Sequence, residues 1–263
     1  MTFTTLEVER VRHPLKFRLL RVVRTAPITP HLLSVVFTGD DMDDFLSASF
    51  DDHVKLFFPL PGQTVPVLPA GDPKAEGAPP TIARDFTPHR YDAAKRELEI
   101  QFALHGTGPA STWAEQAKPG DILGLGGPRG SFVIPTGYDW FLMLGDPTAI
   151  PAITRRLREV AAGTRVTVLL LADGPGEQFA LDTAADVDVR WLDRLANPQA
   201  LEQAAAAFVP PPGEGYIWAA GEGGAMRAVH AHFVGQLGFP KGRIRAASYW
   251  KPGAEAVHET MGV

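Results

Sequence analysis

Hydrophobic patterning changes character once along this chain, near Pro135-Thr136-Gly137, and that change limits the fold more than any other feature. Before it, short apolar segments separated by turn residues stand at 17–23, 31–38, 54–58, 98–104 and 121–125. Several short strands with few helical patterns predict a barrel or sandwich. Seven prolines lie between 59 and 80, so that stretch is a loop: proline cannot donate to a strand ladder. After the change, apolar runs at 140–144, 165–172, 187–192, 216–220 and 244–248 alternate with helical stretches starting at Pro151 and covering 198–208 and 225–237. That alternation predicts a parallel sheet covered on both faces. The expectation is two domains, a β-barrel followed by an α/β nucleotide-binding fold.

Composition narrows the function classes. The 263 residues suffice for two cores, and 45% hydrophobic with 21% charged residues is the balance of a soluble globular chain. A net charge of −5 argues against a generic nucleic-acid binder. Cysteine is absent, which excludes disulfides, Cys-ligated iron–sulfur clusters, zinc ribbons and thiol nucleophiles, and fits a cytoplasmic location. No export signal or membrane span is expected, because no basic segment precedes an apolar one and no apolar run is long enough.

Three segments carry candidate chemistry. Arg84-Asp85-Phe86-Thr87-Pro88-His89-Arg90 offers guanidinium forks, an aromatic face and a hydroxyl, the groups that stack a flavin ring and hold its phosphates. An ordinary strand with solvated charges accounts for the same residues. In the second segment, from His105 through Gly108 to Glu115, Thr112-Trp113-Ala114-Glu115 matches a capping box opening a short helix, whose free N–H groups suit a pyrophosphate. The third comprises two glycine-bearing strand ends before helices, Gly145-Asp146-Pro147-Thr148-Ala149-Ile150-Pro151 and Ala220-Gly221-Glu222-Gly223-Gly224. Such carboxyl ends of parallel strands form a dinucleotide crevice, although G-x-G-x-x-G is missing. Asp173, ending the strand at 165–172, is positioned to accept from an adenosine ribose and to repel a 2′-phosphate, which favours NADH; an exposed loop acid is the other reading. His230 and His232, two apart on a helix, point to different sides, so no metal site and no Ser-His-Asp arrangement is expected.

In this order, the segments resemble the siderophore-interacting protein family, FAD-dependent ferric-siderophore reductases of the ferredoxin-reductase-like superfamily. The resemblance runs from about Phe17 to His258 and includes Tyr249-Trp250-Lys251. It implies a six-stranded antiparallel β-barrel for FAD over residues 1–136. Residues 137–263 are implied to be a parallel-sheet NAD(P)-binding α/β domain ending in a substrate-pocket segment. It implies cofactor contacts at Arg84, Phe86, Thr87, His105, Gly108, Ala110, Ser111, Thr112 and Trp113, and at Asp146, Thr148, Ala149 and Glu222 around the nicotinamide. Lys55, Arg129 and Lys251 correspond to the family's basic cluster for anionic ferric siderophores. Phe86 stands where the family usually has Tyr, and Pro147 where it commonly has Glu.

The implied activity is release of Fe(II) from a ferric siderophore in the cytoplasm by a monomer, without nucleic acid, membrane span or covalent catalytic residue. Electrons come from NADH, NADPH or ferredoxin. The competing readings are a general NAD(P)H:flavin or ferredoxin-type reductase with another acceptor, and a non-catalytic siderophore-binding protein.

Overall fold

The computed structural model describes residues 6–69, 79–105, 108–253 and 259–262. The chain divides into two compact units, Val8–Ile134 and a second made of Pro135–Val263 with the segment Met1–Glu7. The Tyr138 hydroxyl donates to the Leu6 carbonyl at 3.0 Å, which ties Leu6 to the second unit.

The first unit contains β1 (Glu9–Arg12), β2 (Phe17–Thr29), β3 (Leu32–Thr38), β4 (Val54–Phe58), β5 (Ile82–Phe86), β6 (Arg90–Asp92), β7 (Glu97–Ala103), α1 (Pro109–Gln116), β8 (Ile122–Gly126) and β9 (Gly130–Val133). Seven strands form an antiparallel sheet in the order β5-β4-β8-β2-β3-β7-β6, while β1 pairs with β9 apart from it. The expected six-stranded barrel is therefore a seven-stranded half-barrel: among the described residues its edges β5 and β6 do not pair with each other. Both edges are short and mixed in polarity, so the apolar pattern does not mark them. In β2, Arg18, Leu20 and Val22 turn inward and Leu19 and Arg21 outward, the period-2 pattern of a half-buried strand. β2 continues to Thr29 because its register slips at Val22/Arg24 and again at Pro27/Thr29, where a residue without an N–H is tolerated. Leu20, Val35, Phe37, Leu56, Phe58, Ile100, Phe102 and Leu123 fill the core, and α1 adds Ala114.

The second unit contains β10 (Trp140–Gly145), α2 (Ile150–Glu159), β11 (Arg165–Ala172), β12 (Asp186–Asp193), α3 (Ala200–Ala206), β13 (Gly215–Glu222), α4 (Gly223–His230), β14 (Ile244–Trp250) and β15 (Glu259–Gly262). The sheet runs β12-β11-β10-β13-β14-β15; its first five strands are parallel, and β15 makes it mixed by pairing antiparallel with β14. All six residues of the central β10 are buried, whereas β12 at the edge alternates in and out. Ala231–Gln236 continues α4 as a π-helical segment.

The end of β10 is tightly packed. A Cβ on Gly145 would stand 2.3 Å from the Ala149 Cβ and 2.7 Å from the Ala220 carbonyl oxygen, so only glycine fits there. Gly145→Ala is expected to destabilise the protein by about 1–3 kcal/mol through overpacking. A lower urea midpoint at unchanged m-value is the expected result; a midpoint equal to the parent's would contradict it.

Candidate functional site

Two distant segments of the first unit meet on one aromatic cluster. The Phe86 ring, at the end of β5, lies 4.6 Å from that of Phe102 between centroids. Trp113 on α1 lies 5.8 Å from Phe102 and 5.9 Å from Phe58, and stacks on Phe37 at 6.1 Å with an 18° tilt. Arg84 is half-buried on β5, opposite Leu56, and donates from Nη1 to the Ala83 carbonyl at 2.9 Å. Thr87 is buried. Ala110 packs against the core, and the buried Ser111 accepts at Oγ from the N–H of the exposed His105, at 3.2 Å.

The helix starts earlier than the expected capping box. α1 opens at Pro109, and the exposed Thr112 lies inside it, its N–H donating to the Gly108 carbonyl at 3.0 Å. Proline's fixed φ favours the first helical position, and it overrides the Thr-x-x-Glu match. Gly108, at φ 124°, is the N-cap and supplies no side-chain bond. The N–H groups of Ala110 and Ser111 thus lie in an uncapped first turn, the arrangement that binds a phosphate. Gly106 of the same motif lies outside the described residues. Aromatic planes, a guanidinium, two hydroxyls and uncapped amides fit the chemistry of a flavin dinucleotide.

In the second unit, the two glycine-bearing strand ends are joined by one carboxylate. Buried Asp146 accepts at Oδ1 from the Thr148 N–H at 2.9 Å and the Thr148 hydroxyl at 2.5 Å. At Oδ2 it accepts from the Glu222 N–H at 2.9 Å and the Trp250 indole Nε1–H at 2.7 Å. Four donors match the four lone-pair sites of a carboxylate. Burial pushes its carboxyl above the ordinary range, against the pull of those bonds. Pro147 opens the 3₁₀ turn Pro147–Ala149, where its missing N–H leaves nothing unpaired, and Ala149 is fully buried beneath Gly145. Glu222 caps α4, accepting from the Gly224 N–H at 2.7 Å and the Ala225 N–H at 2.9 Å.

The basic residues meet different surroundings. Lys55, exposed on β4, lies opposite Asp85 of β5 and forms an ion pair with it at 2.7 Å. Arg129 is exposed, and its carbonyl accepts from the His13 N–H at 2.9 Å. Lys251, half-buried in the second unit, lays its stem over Gly223: a Cβ there would stand 3.0 Å from its Cε. Asp173, expected to face a ribose, accepts from Nε and Nη2 of Arg194 at 2.8 and 2.5 Å.

Asp85, Arg194 and Trp250 are the residues sequence reasoning missed as partners. Strand pairing places Asp85, but Arg194 and Trp250 lie 21 and 104 positions from their carboxylates, and nothing local marks them. The first unit also holds a buried chain in which Ser131 Oγ donates to Asp52 Oδ2 at 2.8 Å while His13 Nε2 sits 2.8 Å from the same hydroxyl. The serine stands in the middle and aims its O–H at the carboxylate rather than at the imidazole, so this is not a nucleophile–base–orienter array. Among the described residues no group of three His, Asp or Glu is placed to hold a metal ion, and no helix is long and apolar enough to cross a membrane.

An antiparallel half-barrel followed by a mostly parallel sheet with helices between its strands is the ferredoxin-reductase-like fold. Family models agree unit by unit: a siderophore-interacting FAD-binding domain matches residues 21–132 and a siderophore-interacting protein model matches 138–253. The chain is 38% identical to the NADPH-dependent ferric-chelate reductase of Escherichia coli, over 92% of this chain and 96% of that protein. It is 33% identical to the ferric vibriobactin reductase ViuB of Vibrio cholerae, over 98% and 97% of the two chains. A siderophore utilization protein from T. fusca superposes with a TM-score of 0.88 at 35% identity, covering 95% of this chain and 98% of that one. The chain belongs to the siderophore-interacting protein family.

Asp146→Asn turns one acceptor oxygen into an N–H₂ facing two donors, each costing roughly 1–3 kcal/mol when left unpaired. The variant is expected to lose about 2–4 kcal/mol, and Trp250→Phe, which removes one donor, about 1 kcal/mol. Denaturant titration of both and of the double variant checks this, with non-additive losses expected for bonded partners. An Asn variant as stable as the parent would refute the assignment.

Proposed function

We propose that this protein is an FAD-dependent ferric-siderophore reductase that takes electrons from NAD(P)H and releases Fe(II) in the cytoplasm as a monomer. The observation that carries the reading is the convergence of Phe86 and Trp113 on Phe102, beside the uncapped start of α1. The similarity to a ferric-chelate reductase and a ferric vibriobactin reductase over nearly the whole chain supports it. The absence of cysteine suits a reducing compartment.

In this reading residues 1–136 hold FAD and residues 137–263 hold the nicotinamide nucleotide. Phe86 and Trp113 contribute aromatic surface to the flavin side. Arg84, Thr87, His105, Gly108, Ala110, Ser111 and Thr112 line the path of its ring and phosphates. The amides of Ala110 and Ser111 bind as an anion site. Asp146, Thr148, Ala149 and Glu222 shape the nucleotide crevice, Asp146 by holding its walls rather than by touching the ligand, because its oxygens are engaged. Lys55, Arg129 and Lys251 supply positive charge for an anionic ferric siderophore. Lys55 does so in competition with Asp85.

FAD, when bound, converts a two-electron hydride donor into one-electron delivery to Fe(III). One NADPH then reduces two ferric chelates, leaving NADP⁺ and a proton. Hard oxygen chelators hold Fe(II) far less well than Fe(III), so reduction also frees the metal and the protein needs no ligand for it. Reduced ferredoxin is the competing electron donor.

The test is the visible spectrum of the purified protein. Flavin bands that bleach with anaerobic NADPH and return on adding a ferric siderophore, with Fe(II) trapped by a chromogenic chelator, are expected. A colourless protein that gains no bands when mixed with FAD would refute the reading, and bleaching by reduced ferredoxin alone would replace the donor. Phe86→Leu keeps apolar bulk but removes the ring plane. It is expected to weaken FAD binding about tenfold or more, from roughly 1–3 kcal/mol of stacking; full flavin content in the variant would contradict the role. Lys251→Ala is expected to raise KM for an anionic ferric siderophore, most clearly at low salt where screening is weak. Unchanged KM at low ionic strength would remove Lys251 from substrate binding.

A further inference from the structure

Asp173 and Arg194 directly follow the neighbouring parallel strands β11 and β12, at their carboxyl ends. The Arg194 N–H donates to the Ala172 carbonyl at 3.0 Å, which pins its backbone beside the end of β11. Its Nε and Nη2 then grip both oxygens of Asp173, at 2.8 and 2.5 Å. Pairing with Asp173 raises the guanidinium's affinity for its proton, and the carboxylate of Asp146 adds to that. The parallel register of β10, β11 and β12 puts the pair at the same end of the sheet as Asp146. Side-chain exposures of 37% for Arg194 and 29% for Asp173 leave both open to an incoming ligand.

The location decides what such a pair does. In an open sheet of this kind a dinucleotide lies across the carboxyl ends of the strands, and the residue after the second strand meets the adenosine ribose. Here β10 is the first strand and β11, beside it, the second, so Asp173 occupies that position. A lone carboxylate there accepts from a 2′-hydroxyl and repels a 2′-phosphate. With its charge offset by Arg194, that repulsion is cancelled. A guanidinium has five N–H donors in a rigid fork, and the pair uses two of them. Asp173 fixes the orientation of the fork, and the remaining edge presents N–H groups to a dianion.

We propose that Arg194, held in place by Asp173, takes the 2′-phosphate of NADPH and makes this protein select NADPH over NADH. The assignment reverses the NADH preference that Asp173 alone suggests, and it rests on the nicotinamide-nucleotide reading above. Asp173 acts as the positioning residue and Arg194 as the one that touches the nucleotide.

The experiment uses the full chain loaded with FAD, with 2′,5′-ADP and 5′-ADP as calorimetric probes. The parent is expected to bind 2′,5′-ADP about tenfold or more tightly than 5′-ADP, as a charge-assisted hydrogen-bonding contact gives. Arg194→Ala, which leaves Asp173 as a lone carboxylate, is expected to abolish or reverse that margin, and Arg194→Lys to keep part of it. The pair is at the surface, so the variant folds. Equal binding of the two probes by the parent, or a margin that survives in Arg194→Ala, overturns the proposal. Anaerobic bleaching separates the levels of failure. If NADH bleaches the flavin and 2′,5′-ADP shows no advantage, the role of Arg194 falls and the reductase reading stands. If neither NADH nor NADPH bleaches it, the nucleotide-donor reading falls and the role of Arg194 falls with it.

Discussion

Four donors from three separate stretches of chain point at the buried carboxylate of Asp146, and the arrangement of the strand ends depends on that convergence. The turn after β10, the end of β13 and the end of β14 each give it a hydrogen bond. A charge in such a place is tolerable only because every lone pair is occupied. Gly145 and Gly221 give it room. A side chain at Gly221 would stand 2.5 Å from Asp146 Oδ2, and one at Gly145 would strike Ala149 and the Ala220 carbonyl. The two glycine-bearing strand ends thus have a common cause, the close approach of backbone to one carboxylate. Through Trp250 the same carboxylate fixes the stretch of chain that carries Lys251.

The first unit is organised by apolar rather than ionic contacts. Phe37, Phe58, Phe86, Phe102 and Trp113 meet in tilted and edge-on pairs, with Trp113 stacked on Phe37. Phe86 and Trp113 are only partly buried, so a continuous aromatic core reaches the surface where α1 begins. A rigid apolar wall beside polar groups suits a large planar ligand, because little side-chain freedom is lost when it docks.

Much of this was legible from residues alone. Short apolar segments bounded by turn residues located β4 and, to within a residue, β3, β7 and β8, while apolar runs alternating with helical stretches located β11 and, to within two residues, β10 and β13. Short strands escaped. β1, β6 and β9 have three or four residues each, too few to show a period. The start of α1 was misplaced because a capping-box match looks the same whether or not a Gly-Pro pair has already opened the helix. Of the flavin segment, residue type and order were readable, but the meeting of Phe86 and Trp113 on Phe102 depends on strand pairing. Long-range polar partners were not readable. An Asp after a strand announces neither an Arg just past the next strand nor an indole 104 residues away, and those partners decide whether its charge is available.

The bond from Tyr138 to the Leu6 carbonyl has a consequence for dissecting the molecule. Leu6 precedes β1 in the chain, yet it belongs with the unit that resumes at Pro135. A cut between Ile134 and Pro135 therefore takes from Tyr138 the carbonyl to which its hydroxyl donates, and a fragment starting at Pro135 is not equivalent to the second unit of the intact chain.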